Sequence, residues 1–121
     1  MARILIVDDD ARTRKTIRRV LERARHEVVE ARNGEVGISL YREEPADLVI
    51  TDMVMPEVDG IATITILRRD YPDVKIIAMS GGGRIGPDAY LHAAENLGVL
   101  RTLPKPFGKS ELLGAVQEVL A

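Results

Sequence analysis

Four places in this 121-residue chain carry groups suited to managing charge: the run Asp8-Asp9-Asp10, then Asp52, Ser80 and Lys105. Each lies at the end of, or just beyond, a short apolar run of the kind that forms a strand. Taken singly they have plain structural explanations. Asp10 suits a helix N-cap, a serine after a strand makes a turn, and a lone lysine is solvated. Taken together they bring at least three carboxylates, a hydroxyl and an ammonium to the ends of four different runs. Two carboxylates ~5 Å apart repel by about 3 kcal/mol at an effective dielectric of about 20, so three mutual pairs approach ~10 kcal/mol. That rivals the whole stability of a small domain, about 5–15 kcal/mol, so protons or a cation must share the site. Oxygen ligands with no His or Cys beside them select a hard ion, and Mg2+ suits one or two carboxylates plus waters and a phosphate. With Mg2+ and Lys105 present, the charges of Asp8, Asp9 and Asp52 are balanced, and coordination positions stay open to an incoming phosphoryl group.

The segment Asp52-Met53-Val54-Met55-Pro56-Glu57-Val58-Asp59-Gly60 singles out Asp52 as the reacting acid. Pro56 and Gly60 favour a fixed turn over an immediate helix start, which leaves Asp52 on a rigid strand end. The elements that must position these groups alternate regularly. Strands are expected over Arg3–Val7, Glu27–Ala31, Asp47–Thr51, Lys75–Met79 and Val99–Leu103, three of them nearly all apolar, as in a parallel sheet covered on both faces. Between them run helical patterns: Ile17, Val20, Leu21 and Ala24 after the first strand, then Gly34–Glu43, Ile61–Asp70, Pro87–Leu97 ahead of Gly98, and Lys109–Leu120. This rhythm predicts an α/β fold with a doubly wound parallel sheet, whose ligand crevice lies outside the carboxyl ends of the strands.

Length and composition fit one domain over residues 1–121, with any output module on another chain. The absence of cysteine excludes a disulfide framework, thiolate catalysis and Cys-ligated zinc. Seventeen basic against 19 acidic residues, a net charge of −2, argues against a chain built to neutralise phosphate backbones. Seven of the 17 basic residues fall between Arg12 and Arg25, but acids surround them, so a solvated face or a protein-docking face is expected before nucleic acid. The first apolar run, Ile4–Val7, is far too short for a signal peptide or membrane span, which makes the cytoplasm the expected location.

The acidic pair Asp8-Asp9, the segment Asp52-Met53-Val54-Met55-Pro56 with Gly60, Ser80-Gly81 and Lys105-Pro106-Phe107 resemble, across essentially the whole chain, the receiver domains of two-component response regulators. The resemblance implies a flavodoxin-like fold with strand order 2-1-3-4-5. It further implies that Asp52 accepts a phosphoryl group from a phosphohistidine on a sensor histidine kinase or histidine phosphotransfer protein. By the same likeness, Asp9, Asp52 and the Val54 carbonyl hold Mg2+ (or Mn2+), with Asp8 acting through water. Lys105 and Ser80 would contact phosphoryl oxygens, and the amides of Met53 and Gly81 would complete the cradle. The Lys105-Pro106 bond is expected to be cis. Such a protein is a switch that catalyses only its own phosphorylation and dephosphorylation, and it signals to a downstream effector protein that the sequence does not name.

Two departures from the family pattern stand out. Thr102 occupies the switch position, three residues before the lysine, where receivers carry Tyr or Phe. The glycine-rich stretch Ser80–Pro87 is also longer than usual, and a mobile loop is expected there. Its Gly81-x-Gly83-x-x-Gly86 matches a dinucleotide fingerprint as written, but it follows the fourth strand, lacks the downstream acid and ends in Pro87. A rival from another class is a phosphohydrolase resembling the haloacid dehalogenase superfamily, with Asp8 as nucleophile and Asp10 as acid/base. Against it, Arg12 stands where that family has Thr or Val, and Asp52 is left without a role. A donor-docking face is expected near Ala11, Arg14, Lys15 and Arg18 with Lys105-Pro106-Phe107, and an effector face near Tyr90, His92, Arg101 and Thr102.

Overall fold

The computed structural model describes residues 1–53, 60–80 and 97–121. Five strands, β1 (Arg3–Val7), β2 (Glu27–Ala31), β3 (Leu48–Asp52), β4 (Ile76–Ser80) and β5 (Arg101–Pro104), form one parallel sheet in the order β2-β1-β3-β4-β5. Four helices are described: α1 (Ala11–Arg23), α2 (Gly34–Glu43), α3 (Gly60–Asp70) and α4 (Lys109–Leu120). The helical pattern over Pro87–Leu97 lies, save for Leu97, outside the described residues, as does the whole glycine-rich segment after Ser80. Beyond it the chain turns at Gly98, whose φ of 85° suits a residue with no Cβ.

Successive strand residues point to opposite faces, and each face meets its own helices. Ile4, Ile6, Leu48, Ile50, Ile77 and Met79 pack with Ile17 and Leu21 of α1 and with Leu112, Ala115 and Val116 of α4. Leu5, Val7, Val49, Ile76 and Ala78 pack with Ile38 and Tyr41 of α2 and with Ile64 and Leu67 of α3. The sheet is therefore doubly wound, and the three apolar runs are its central strands. Ala24, read as part of the apolar stripe of α1, is exposed, because the helix ends at Arg23 and Ala24 serves as its C-cap.

Three strands sit slightly later than their hydrophobic runs indicate. β3 and β4 are shifted by one residue, and β5 begins at Arg101 and runs to Pro104, not over Val99–Leu103. The ladder explains this. Asp52 pairs with Met79 and Ser80 with Pro104, since a polar residue at the last position of a strand keeps its backbone bonds while its side chain reaches the rim. Pro104 is tolerated because β5 is an edge strand and needs no amide on its open side.

Candidate functional site

The strand order reverses between β1 and β3: from β1 the chain steps outward to β2, then returns to place β3 on the other side. The crevice at that switch point is where the site residues gather. Asp8 and Asp9 follow β1, Asp52 ends β3, and one carboxylate oxygen from each lies within 4.8 Å of the others. Lys105, just beyond β5, reaches across to them: its Nζ is 2.9 Å from Asp8 Oδ2 and 3.6 Å from Asp52 Oδ1. Burial by itself would lower the pKa of this ammonium. The hydrogen bond to Asp8 and the charges of Asp52 and Asp8 outweigh that effect and hold it above the ordinary lysine value.

The local chain is organised to deliver these groups. Asp8 donates its amide to the Ala31 carbonyl at 3.1 Å, extending the β1–β2 ladder, and its Oδ1 accepts the Asp10 amide at 2.9 Å. Asp10 caps α1, its two oxygens accepting from the Arg12 amide at 2.9 Å and the Thr13 hydroxyl at 3.0 Å, as its place in the sequence suggests. Those two bonds hold its carboxyl below the usual aspartate range. Behind Asp52, Gly60 opens α3 so close to the strand that a Cβ there would stand 2.1 Å from the Asp52 carbonyl oxygen and 2.5 Å from Met53 Cα. Only glycine lets α3 begin against the base of β3.

Ser80 is fully buried at the end of β4, and among the described residues its hydroxyl has no hydrogen-bond partner. The next rung ties it to the lysine, the Lys105 amide donating to the Ser80 carbonyl at 2.6 Å. The Lys105-Pro106 bond is cis, as the resemblance implies. The Met53 amide already donates to the Met79 carbonyl at 2.9 Å, so a phosphate cradle using that amide would have to draw it from the ladder. Val54 and Gly81, expected to supply a carbonyl and an amide, lie outside the described residues, as do Tyr90 and His92. Thr102 is half-buried on β5 opposite Ala78.

One sequence reading is corrected. Arg14, placed on an exposed docking face, is only 16% exposed at its side chain and points inward, to Glu30 on β2 and the Asp8 backbone. Nothing in a helical arginine's spacing announces this. Only the fold shows that Arg14 and Arg18, four apart and so on one helix face, both find an acid in Glu30.

The donor set suits a hard divalent ion. Ligand oxygens on octahedral Mg2+ stand at most about 4.2 Å apart, so small side-chain rotations bring the three carboxylates within reach of one ion, with Lys105 balancing the remaining charge. The Ser80 hydroxyl at the end of the neighbouring strand, without a partner among the described residues, fits a further oxygen ligand that enters the crevice. The hydrolase reading is not supported: the carboxylate that would serve as acid/base, Asp10, is occupied in capping α1, and the one that would be nucleophile, Asp8, is buried and bonded through both oxygens.

Comparison with known proteins agrees. The family model for the response regulator receiver domain matches residues 4–117. The chemotaxis protein CheY of Thermotoga maritima is 35% identical over 118 residues, covering 97% of this chain and 96% of that protein. The transcriptional regulator NtrC of Azospirillum brasilense is 35% identical over 119 residues, 98% of this chain but 24% of that protein, so the chain spans about a quarter of that relative's length. Among solved structures, CheY4 of Vibrio cholerae superposes with a TM-score of 0.88 at 27% identity over 99% of both chains. The chain belongs to the receiver-domain family of two-component response regulators, whose members bind Mg2+ at an acidic pocket and act as phosphoacceptor switches.

Proposed function

We propose that Asp52 is the phosphoacceptor and that residues 1–121 form one cytoplasmic signalling domain charged by a phosphohistidine on a sensor kinase or phosphotransfer protein. The observation that carries this reading is the meeting of Asp8, Asp9, Asp52 and Lys105 at the switch point of the sheet, with the buried Ser80 hydroxyl, unpartnered among the described residues, at the end of the next strand. An Asp52 carboxylate oxygen attacks phosphorus, the P–N bond to the donor imidazole breaks, and the imidazole nitrogen leaves with the bonding pair. Such a transfer asks mainly for positioning and for neutralisation of charge on the equatorial oxygens. Lys105 supplies a fixed ammonium and Ser80 a hydroxyl donor. Mg2+, held by Asp9 and Asp52 with Asp8 behind and a carbonyl expected from Val54, would supply further neutralisation of the phosphoryl oxygens.

Once esterified, Asp52 carries more negative charge and new acceptor oxygens, and the buried Ser80 hydroxyl has a partner to turn toward. Relay through the customary aromatic is not open to this chain, which has Thr102 in that place. For the donor, a groove of about 460 Å³ between Arg12, Thr13, Thr16 and Ile17 of α1 and Lys105-Pro106-Phe107 supports docking of a helical partner beside the site. Arg12 is the α1 cation that lines this groove, while Arg18 is paired with Glu22 and Glu30. No helix among the described residues is long and apolar enough to cross a membrane, and nothing in the site calls for nucleic acid.

Incubation with acetyl phosphate and Mg2+, read by intact-mass spectrometry, tests the assignment. The parent gains one phosphoryl mass and Asp52→Asn gains none. Equal labelling of the variant removes Asp52 from the role.

A further inference from the structure

We infer that Arg14 is a positioning residue for the acidic pair, clamping the peptide between Asp8 and Asp9 from the far side of the site; this rests on the receiver reading above. The Arg14 guanidinium donates from Nη1 to the Asp8 carbonyl at 2.6 Å and from Nε to Glu30 Oε1 at 3.1 Å. Glu30 is held in turn through its other oxygen by Arg18 Nη1 at 2.7 Å, and Arg18 also meets Glu22 at 3.2 Å. This chain of bonds ties β2 and α1 to the last residue of the β1 ladder.

Why that matters is a question of geometry. The Asp8 carbonyl and the Asp9 amide belong to one planar peptide unit, so an orientation imposed on the carbonyl also sets the direction in which the chain delivers Asp9. With Arg14 in place, every polar group of Asp8 is engaged: amide to Ala31, carbonyl to Arg14, Oδ1 to the Asp10 amide and Oδ2 to Lys105. Asp9 is exposed and owes its placement to this frame. Among the described residues, Arg14 and Lys105 are the two cations that bind Asp8, one through its backbone and one through its side chain. A planar guanidinium suits the first task because it bonds two acceptors at once in fixed relative positions, which a single ammonium does not.

The test is Mn2+ affinity by titration of the full chain, with amide spectra of the metal-free protein and thermal melts recorded alongside. Groups that orient metal ligands from behind are worth roughly 10–100-fold in metal affinity. Arg14→Ala is expected to weaken Mn2+ binding about tenfold and to move the Asp8 and Asp9 amide signals before any metal is added. Arg14→Lys, which keeps the charge but not the fork, should fall between, and Glu30→Gln, which still accepts from Arg14, should stay within about threefold of the parent. If Arg14→Ala does not fold, Arg14→Lys decides, and parental affinity there overturns the inference. So does Mn2+ binding by Arg14→Ala within about twofold of the parent, or a variant slowed only in transfer from a phosphohistidine donor, the behaviour of a docking cation. A parent that binds no Mn2+ sinks the receiver reading itself, and this inference with it.

Discussion

Lys105 has two carboxylates for neighbours and a side chain 24% exposed, so its charge is set against theirs with little help from water. Removing one member of a fully buried ion pair costs about 3–5 kcal/mol. With part of the side chain solvated, Lys105→Met should cost about 2 kcal/mol in a chelator-containing buffer. Adding Mg2+ should recover more of that loss than it adds to the parent, since the metal replaces the missing positive charge. Melting curves of both proteins with EDTA and with Mg2+ measure the difference, and equal gains would contradict it. The acids, the lysine and the serine were legible in the sequence because functional polar groups interrupt apolar runs, and such interruptions stand out. Arg14 was not legible in the same way, since an arginine on an amphipathic helix looks the same whether it faces water or reaches back over the preceding loop.

At the level of elements, spacing fixed more than boundaries. The limits of β1, β2, α2 and α4 follow directly from where apolar periodicity starts and stops, whereas β3 and β4 each extend one residue into polar sequence that only the hydrogen-bonded ladder admits. The junction of β3 with α3 depends on Gly60, where a Cβ would overlap the backbone of Asp52 and Met53. Gly60→Ala is therefore expected to destabilise by about 3 kcal/mol, lowering the Tm by on the order of 10 °C, and to slow labelling of the acid it displaces. A second junction, where α1 turns into β2, is sensitive to acid. His26 Nδ1 accepts the Ala2 amide at 3.1 Å, a bond the protonated ring cannot accept. Burial, and then the charge of the amino terminus, lower its pKa from the ordinary 6.5. A base with a folded pKa below its unfolded one binds more protons when unfolded, so its contribution is intact above about pH 6.5 and is lost as the pH falls through that value toward the folded pKa. Chemical denaturation between pH 7.5 and 5 should show stability declining in the parent and a flatter profile in His26→Gln.

For the molecule as a whole, a ligand that binds only the folded form stabilises it by mass action. At ten times its dissociation constant the gain is about 1.4 kcal/mol, so Mg2+ should raise the Tm by a few degrees in the parent and leave Asp9→Asn nearly unmoved. The same acids bear on how the sheet is assembled. Strands apolar on both faces lack the in–out alternation that ordinarily pins one strand against its neighbour, so a slide by one step would merely trade one greasy layer for the other. What forbids the slide is the row of Asp8, Asp52 and Ser80 at the ends of three adjacent strands, since drawing Asp8 or Asp52 one step inward, to the rung of Val7, Thr51 and Ala78, would strip its carboxylate of its partners. The residues proposed to carry the signal thus also act as stops that hold the strands in alignment, and replacing them with aliphatic side chains removes a brake on mispairing as well as a reactive group.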